Sequence, residues 1–232
     1  MAVHKASGVS MGADRWDRSR ERLDDALRSV SRRRLFTVHR LDRETSGVVL
    51  FAKDAETHRR LSLAFERRTV KKRYLAVIHG SPAWKETACA LPLVPDGDKR
   101  HRTIIDKYQG KKALTRFRFQ GGAGNYTLVE ALPESGRTHQ IRAHLAALGH
   151  PVVCDRLYGT EKPVYLSSFK RTWRGDPLEE RPLLARLGLH AADLTLPYPQ
   201  GGGELSLHAP LPKDMASLIN QMRKNGPSPT VS

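Results

Sequence analysis

The chain has 232 residues and carries 40 lysine and arginine residues against 24 aspartate and glutamate residues, for a formal net charge of +16. This length suffices for one large domain with its own core. The two cysteines form no C-x-x-C pair, the first residues lack the apolar core of a signal peptide and no apolar run is long enough to span a membrane, so we expect a cytoplasmic protein without a disulfide framework.

The surplus of positive charge predicts a polyanionic partner, which charge alone does not resolve into RNA, DNA or an acidic membrane. In chain order, the basic segment 14–34 has apolar residues at helical spacing and predicts a helix whose outer face is either solvated or in contact with RNA. The apolar run 48–52 predicts a strand, and Asp54 is expected to cap a helix that continues to about Arg68. Residues 69–80 predict a second strand that ends at Gly80.

Residues 81–111 are rich in proline, glycine and charge and indicate hairpins and loops. Two strand patterns then flank the sequence GGAG at 121–124, which predicts a strand–turn–strand unit. Residues 138–149 predict a helix that Thr138 caps and Gly149 ends. Residues 160–187 are mixed and basic and indicate a long loop, and loops of this length are often functional.

Two further strands are predicted at 189–196 and 203–210, followed by an amphipathic helix over 212–226 and a disordered tail at 226–232. Strands and helices are interspersed, with antiparallel hairpin signals between them. The sequence therefore predicts an α+β fold with a central mixed or antiparallel sheet flanked by helices and loops, in a single domain over residues 1–225.

Several common site types are excluded by spacing. His139 and His144 are five residues apart and do not share a helix face, and no zinc-type spacing, phosphate loop or G-x-S-x-G elbow occurs, so no metal is expected. The prominent carboxylate is Asp42, between Arg40 and Arg43. It is either a surface ion pair or a carboxylate that a cation keeps ionised for chemistry. The residues alone therefore indicate a basic RNA- or DNA-directed α+β protein.

Three segments taken together resemble the RluA-type pseudouridine synthases. HRLDRETSGVVLFAK has the family's H-R-L-D core followed by T-S-G and an apolar strand, KKRYLAVIHG resembles its second motif, and ESGRTHQIRAHLAALGHPVVCDRLYG resembles its third. The opening VHKASGVSM resembles the family's first strand, although Ala6 stands where proline is usual, and LHAADLTLPYP resembles a later strand. The matches run in the family's order from about residue 3 to residue 212.

The resemblance implies the pseudouridine synthase fold and the isomerisation of uridine to pseudouridine in RNA, without a cofactor or metal. It implies that Asp42 is the catalytic aspartate, acting on C1′ or removing a sugar proton. It also implies that Arg142 pairs with this aspartate and keeps it ionised. Tyr74 matches the active-site tyrosine, whose ring would hold the extruded uracil base.

Basic residues beside these motifs are the expected RNA contacts. Alternation along an extended segment would place Arg40 and Asp42 on the same face. The full set of expected RNA-binding residues is Arg40, Arg43, Lys72, Arg73 and His139. Many family members carry a small RNA-binding domain before the catalytic domain, and this chain begins almost at the catalytic domain. RNA binding is therefore expected from the segments 14–34 and 160–187 as well.

Two other classes remain open. A catalytically silent RNA-binding or ribosome-assembly factor on the same fold would bind RNA without isomerising it. A DNA-binding protein is a third possibility, but the sequence has no helix-turn-helix or zinc pattern. The expected substrate is ribosomal RNA or transfer RNA, no membrane partner is expected, and a monomer is the default.

Overall fold

A computed structural model describes residues 1–12, 22–31, 34–198 and 202–226. It divides into two compact units. The first comprises Met1–Arg73 and His190–Pro210, and the second comprises Tyr74–Leu189 and the chain from Leu211 onward. A single catalytic domain over 1–225 stays a prediction, and the tail expected to be disordered lies outside the described residues from 227 onward.

The secondary structure follows the chain in this order: β1 (Ala2–Lys5), α1 (Leu23–Val30), β2 (Phe36–Thr37), β3 (Ser46–Ala52), α2 (Ala55–Glu66), β4 (Lys71–His79), β5 (Glu86–Cys89), β6 (Leu93–Val94), β7 (Ile104–Ile105), β8 (Thr115–Ala123), β9 (Tyr126–Pro133), α3 (Gln140–Ala147), β10 (Leu189–Pro197), β11 (Glu204–His208) and α4 (Lys213–Asn225). A short 3₁₀ turn, Leu166–Ser168, lies between α3 and β10. Within the described ranges, no helix is both long and apolar enough to cross a membrane.

The first unit is built around β3, whose seven residues are all buried. β3 pairs antiparallel with β1 and β2 and parallel with β10, and β11 pairs antiparallel with β10, so the predicted mixed sheet is confirmed here. A strand that is buried along its whole length favours β-branched and apolar residues, which β3 has. The α2 helix packs Leu61 against Val48 and Leu50, and Asp54 caps it as predicted.

The second unit has an antiparallel sheet in the order β4–β9–β8–β5. The α4 helix buries its predicted apolar face, which includes Met215 and Met222, in a core cluster with Val77 and Val153. The α3 helix buries Ile141 in a second cluster of this unit. The three motif segments are thus attached to packed sheets in both units.

Three boundaries differ from those predicted. Thr138 does not cap α3, because the N-cap residue is His139 in the left-handed conformation at φ 51°, with no side-chain cap bond. The Gln140 amide oxygen instead accepts from the Ser135 hydroxyl and the Arg137 backbone N–H, so this side chain closes the preceding turn.

The strand–turn–strand unit also differs in detail, since β8 continues through Gly121–Ala123 after a bulge that follows Phe119, and the turn falls at 124–125. Of the predicted basic helix over 14–34, the described residues form only α1, since Arg22 and Ser31 are extended at its two ends, and residues 14–21 and 32–33 lie outside the described part.

Gly47 has a conformation and a neighbour that only glycine tolerates. Its φ is +131°, and a Cβ there would lie 2.2 Å from the backbone oxygen of Ala191 on the adjacent strand. Gly121 has a similar φ of +144°, but a Cβ there would meet nothing within 4 Å. We expect Gly121→Ala to lower the free energy of unfolding by about 1 kcal/mol from backbone strain, and Gly47→Ala to lower it by clearly more.

The two variants are compared by urea denaturation. Equal losses for Gly47→Ala and Gly121→Ala would show that the close approach of β3 and β10 contributes nothing beyond the backbone conformation.

Candidate active site

The loop that carries Asp42 is fixed by the turn after β1. The buried Lys5 ammonium donates to the backbone oxygens of Ala6 and Val9 at 2.9 Å and to that of Arg43 at 2.8 Å. The Gly8 backbone N–H also donates to the Arg43 oxygen. A buried ammonium needs acceptors for its three protons, so this lysine ties the loop next to Asp42 to the first strand.

Asp42 itself is half-buried, and its backbone oxygen accepts from the Thr45 N–H at 3.1 Å. The preceding His39 stacks on Phe65 at 4.8 Å, and its Nε2 accepts from the Leu50 backbone N–H. Burial, with a smaller contribution from the charge of Lys72, lowers the pKa of His39 to about 4. His39 is therefore a neutral structural residue at neutral pH.

The expected RNA-binding residues of the first unit differ in their surroundings. Arg40 is exposed, whereas Arg43 is bound to the Glu44 carboxylate and Arg73 to Asp193 at 2.7 Å. Two of these arginines therefore have carboxylate partners within the chain.

Lys72 lies on β4 and is shielded from solvent. Burial lowers its pKa to about 8, and the nearby charge of Arg68 adds to this shift.

Arg142 lies on α3 in the second unit and is almost fully buried. Its Nε and Nη2 each donate to one oxygen of Asp155 at 2.7 Å, forming a bidentate ion pair with side-chain exposures of 4% and 0%. Asp155 also accepts from the backbone N–H groups of Leu157 and Tyr158. The guanidinium lies over the Tyr158 ring at 5.2 Å. Its plane and its position are therefore both fixed.

Tyr158 connects this ion pair to other segments. Its hydroxyl accepts from the Thr103 backbone N–H at 2.7 Å, donates to the Thr103 oxygen at 3.1 Å and hydrogen-bonds with His139 Nδ1 at 3.1 Å. Burial raises the pKa of the Tyr158 phenol. The expected RNA contact His139 thus lies at the start of α3, next to the same tyrosine.

Tyr74 begins the part of β4 that belongs to the second unit. It is half-buried, lies opposite Ala131 of β9 and packs against the core cluster that contains Ile78 and Val129. The structure thus places Asp42 in the first unit and Tyr74, His139 and Arg142 in the second.

Sequence reasoning assigned no role to Asp155 and Tyr158. Both belong to the D-x-x-Y-G turn that follows α3, in which the carboxylate and the aromatic ring are three residues apart. A charged residue in a largely apolar helix such as α3 needs a partner, and this turn supplies the next carboxylate in the chain after Arg142. That signal was available in the sequence.

Comparisons with known proteins were made for the whole chain. Residues 1–147 match a family model described as RNA pseudouridylate synthase. The chain is 34% identical over 189 residues to the uncharacterized RNA pseudouridine synthase YlyB of Bacillus subtilis, covering 82% of this chain and 56% of that protein. It is 34% identical over 227 residues to the ribosomal large subunit pseudouridine synthase C of Vibrio cholerae, covering 96% of this chain and 64% of that protein. The chain thus spans less than two thirds of these relatives.

Solved structures give the same fold. Human RNA Pseudouridylate Synthase Domain Containing 4 aligns with a TM-score of 0.73 at 22% identity, covering 96% of this chain and 89% of that one. Human RNA Pseudouridylate Synthase Domain Containing 1 aligns with a TM-score of 0.69 at 27% identity, covering 91% of this chain and 79% of that one. The predicted pseudouridine synthase fold is confirmed.

We expect Asp155→Ala to lower the free energy of unfolding by about 3–5 kcal/mol, because it leaves the Arg142 guanidinium buried and unpaired. The matched control is Asp214→Ala, which removes a bidentate partner of Arg186 with the same 2.7 Å distances but side-chain exposures of 20% and 39%. The control should cost about 1 kcal/mol. Urea denaturation measures both, and similar losses would contradict the role of burial.

His39 predicts a loss of stability in acid. Its folded pKa of about 4 lies below the ordinary value of 6.5, so the unfolded chain takes up a proton that the native state does not. The stabilising contribution is complete above pH 6.5 and is lost as the pH falls towards 4. The variant His39→Gln keeps an acceptor for the Leu50 N–H. Between pH 7.5 and pH 4.5, we expect its free energy of unfolding to fall by about 2 kcal/mol less than that of the wild type. Denaturation at both pH values measures this, and equal losses would contradict it.

Proposed function

The chain belongs to the RNA pseudouridylate synthase family, and we propose that it isomerises specific uridines in structured RNA to pseudouridine. The match to the family model confirms the resemblance seen in the sequence motifs. The observation that carries the proposal is that the matched residues 1–147 include Asp42, Tyr74 and Arg142, in the order and in the motif settings that the resemblance requires.

The proposed reaction is a rearrangement within one nucleotide. The C1′–N1 bond breaks, the base turns, a C1′–C5 bond forms, the proton on C5 leaves and N1 gains a proton. Atoms and electrons balance without an oxidant or reductant, so we propose that neither a cofactor nor a metal takes part.

Asp42 is proposed as the catalytic aspartate. As a carboxylate it either attacks C1′ or removes a sugar proton, and both routes need the ionised form. The geometry of its loop supports this role, because Lys5 and the turn after β1 hold the backbone beside Asp42 through several hydrogen bonds. These bonds hold the backbone from which the Asp42 side chain projects, which limits the movement of the carboxylate.

Arg142 is proposed as the cation that acts on Asp42. Its ion pair with Asp155 uses Nε and Nη2, and the Tyr158 ring fixes the plane of the guanidinium. Asp155 and Tyr158 are positioning residues in this proposal. Asp155 holds one edge of the guanidinium and Tyr158 covers one face, so the remaining N–H groups point in a fixed direction. Such a guanidinium can stabilise the charge of Asp42 without first having to reorient.

Tyr74 is proposed to hold the uracil base after extrusion from the RNA. Extrusion costs a few kcal/mol, and stacking on an aromatic side chain returns about 1–3 kcal/mol per base. Its place on a rigid strand of the second unit supports this role. Arg40, Arg43, Lys72, Arg73 and His139 are the proposed RNA contacts, and exposed Arg40 is the most accessible of them.

Ribosomal RNA is the favoured substrate over transfer RNA, because relatives such as the Vibrio cholerae protein are named for the large ribosomal subunit. Two buried, unpaired cysteines support a cytoplasmic location. A monomer stays the proposed state. The second candidate function, a catalytically silent RNA-binding factor, predicts that removal of the Asp42 carboxylate leaves biological activity intact.

The decisive test replaces Asp42 in cells that lack the gene. Pseudouridine is mapped in total RNA from the deletion strain complemented with wild type, Asp42→Asn or Asp54→Asn. We expect one or more pseudouridine sites to vanish in the deletion strain. Wild type should restore them and Asp42→Asn should not, because loss of the reacting carboxylate should slow the reaction by about 100-fold or more. The control Asp54→Asn keeps an N-cap residue on α2 and should restore the sites.

Restoration of every site by Asp42→Asn would remove Asp42 from the catalytic machinery. No change in any site upon deletion would overturn the proposed enzyme and favour the silent RNA-binding factor.

A further inference from the structure

Tyr108 has an exposed ring on a turn that is itself well ordered by hydrogen bonds. Its side chain is 98% exposed. The Asp106 carboxylate accepts from the backbone N–H groups of Tyr108 and Gln109 at 2.8 and 2.9 Å, and these bonds lower the pKa of Asp106. The Gly110 N–H donates to the Asp106 backbone oxygen. The turn therefore holds in place the backbone from which the ring projects into solvent.

The charges around this ring are positive. Lys107, Lys111 and Lys112 are exposed, and none of them forms an ion pair with any residue in the described ranges. The three carboxylates of the same segment are engaged locally: Asp106 closes the turn, Asp98 is bound to Arg102 at 2.7 Å, and Asp96 is bound to the His101 imidazole. We name residues 95–112 the basic arm. The electrostatic potential that the basic arm presents to solvent is therefore positive.

The basic arm is anchored to the turn that holds Arg142. Arg100 donates to the Arg156 backbone oxygen at 2.7 Å, and Arg102 donates to the Leu157 oxygen at 3.2 Å. These two acceptors directly follow Asp155 in the chain. The arm is thus fixed to the segment that carries the proposed positioning residues.

The root of the arm packs on α3. The fully buried Leu93 on β6 lies in a cluster with Ala113 and Ala143, and Ala143 follows Arg142 on α3. The Thr103 backbone and the Tyr158 hydroxyl add hydrogen bonds between the arm and the turn. A ligand held by the arm would therefore lie at a fixed place relative to Arg142 within the second unit.

We propose that the basic arm is an RNA-binding element, in which Tyr108 stacks on an unpaired base of the substrate and Lys107, Lys111 and Lys112 contact the adjacent phosphates. An exposed ring with neighbouring ammonium groups matches the alternation of base and phosphate in a single strand. An acidic protein would be attracted by the same charges, but a nucleic acid strand offers a base plane beside every phosphate and is therefore the favoured partner. This inference rests on the proposed function, because it takes RNA as the substrate.

The chain supplies a control ring outside the segments expected to bind RNA. Tyr198, directly after β10, is 43% exposed. The nearest charged residues in the sequence are Asp193 and Glu204, both acidic. Truncation there removes an exposed aromatic side chain without a basic surrounding.

The first measurement is the Kd of the purified full chain for deproteinised ribosomal RNA from cells that lack the gene. We expect Tyr108→Ala to raise the Kd by about 5-fold or more, Tyr108→Phe to stay near wild type because the ring is kept, and Tyr198→Ala to have no effect. Lys107→Gln with Lys111→Gln should weaken binding and make the dependence of Kd on salt shallower. Circular dichroism verifies the folding of each variant.

The second measurement is ultraviolet cross-linking of the same complex, with the nucleotide adduct located by mass spectrometry. A cross-link on Tyr108 supports the arm, and it needs no catalysis. If Tyr108→Ala binds RNA as the wild type does and Tyr108 carries no adduct, the proposal is overturned, whether or not the arm captures an acidic protein. If Tyr108 cross-links but no pseudouridine forms in any RNA, the arm stands and the proposed enzyme falls.

Discussion

A guanidinium removed from water must be paired with a carboxylate and hydrogen-bonded in full, and the second unit is organised around this constraint at Arg142. An unpaired charge in that position would cost several kcal/mol, so the segment that supplies Asp155 has to lie against α3. The backbone N–H groups that follow Asp155 complete its acceptor capacity, and Tyr158 covers the face of the guanidinium. Thr103 then binds Tyr158, which extends the order to the basic arm. The ion pair of Arg142 with Asp155 thereby fixes α3, the turn that carries Asp155 and the basic arm relative to one another.

The first unit has another buried cation, Lys5, whose bonds to the backbone order the loop beside Asp42. The Lys5 ammonium is fully buried and donates to three backbone oxygens, one of them on the residue after Asp42. Carbonyl oxygens accept the protons of an ammonium without adding a further negative charge to the loop. The Glu44 carboxylate, two residues after Asp42, is bound to Arg43. The loop thus holds its backbone through Lys5 and pairs the charge of Glu44 locally.

The fold was largely predictable because its signals are local. The buried run of β3, the cap of α2 by Asp54 and the apolar face of α4 each follow from residues a few positions apart. The start of α3 was not predictable in this way, because Gln140 closes the preceding turn through bonds to residues upstream, and Thr138 was assigned as the cap instead. The pairing of Arg142 with Asp155 joins residues thirteen positions apart, and the sequence signals it only because a cation in an apolar helix needs a carboxylate, which Asp155 is the first to supply after α3. Motif resemblance selected the candidate residues, whereas the bonds of Tyr158 to Thr103 and His139 became visible only in three dimensions.

The distribution of paired and unpaired cations bears on how the chain would bind RNA. Counterions are released from RNA when a phosphate is neutralised by a protein cation, and a cation already bound to a carboxylate must first give up that partner. Arg43 and Arg73 lie beside the sequence motifs, yet each is bound to a carboxylate within the chain. The arm lysines lie outside the motifs and are exposed. Binding strength would then come mainly from cations such as these, whereas the motif arginines would orient the nucleotide. Affinity would in that case reside mainly on the arm lysines of the second unit, and the orientation of the nucleotide on Arg43 and Arg73 of the first unit.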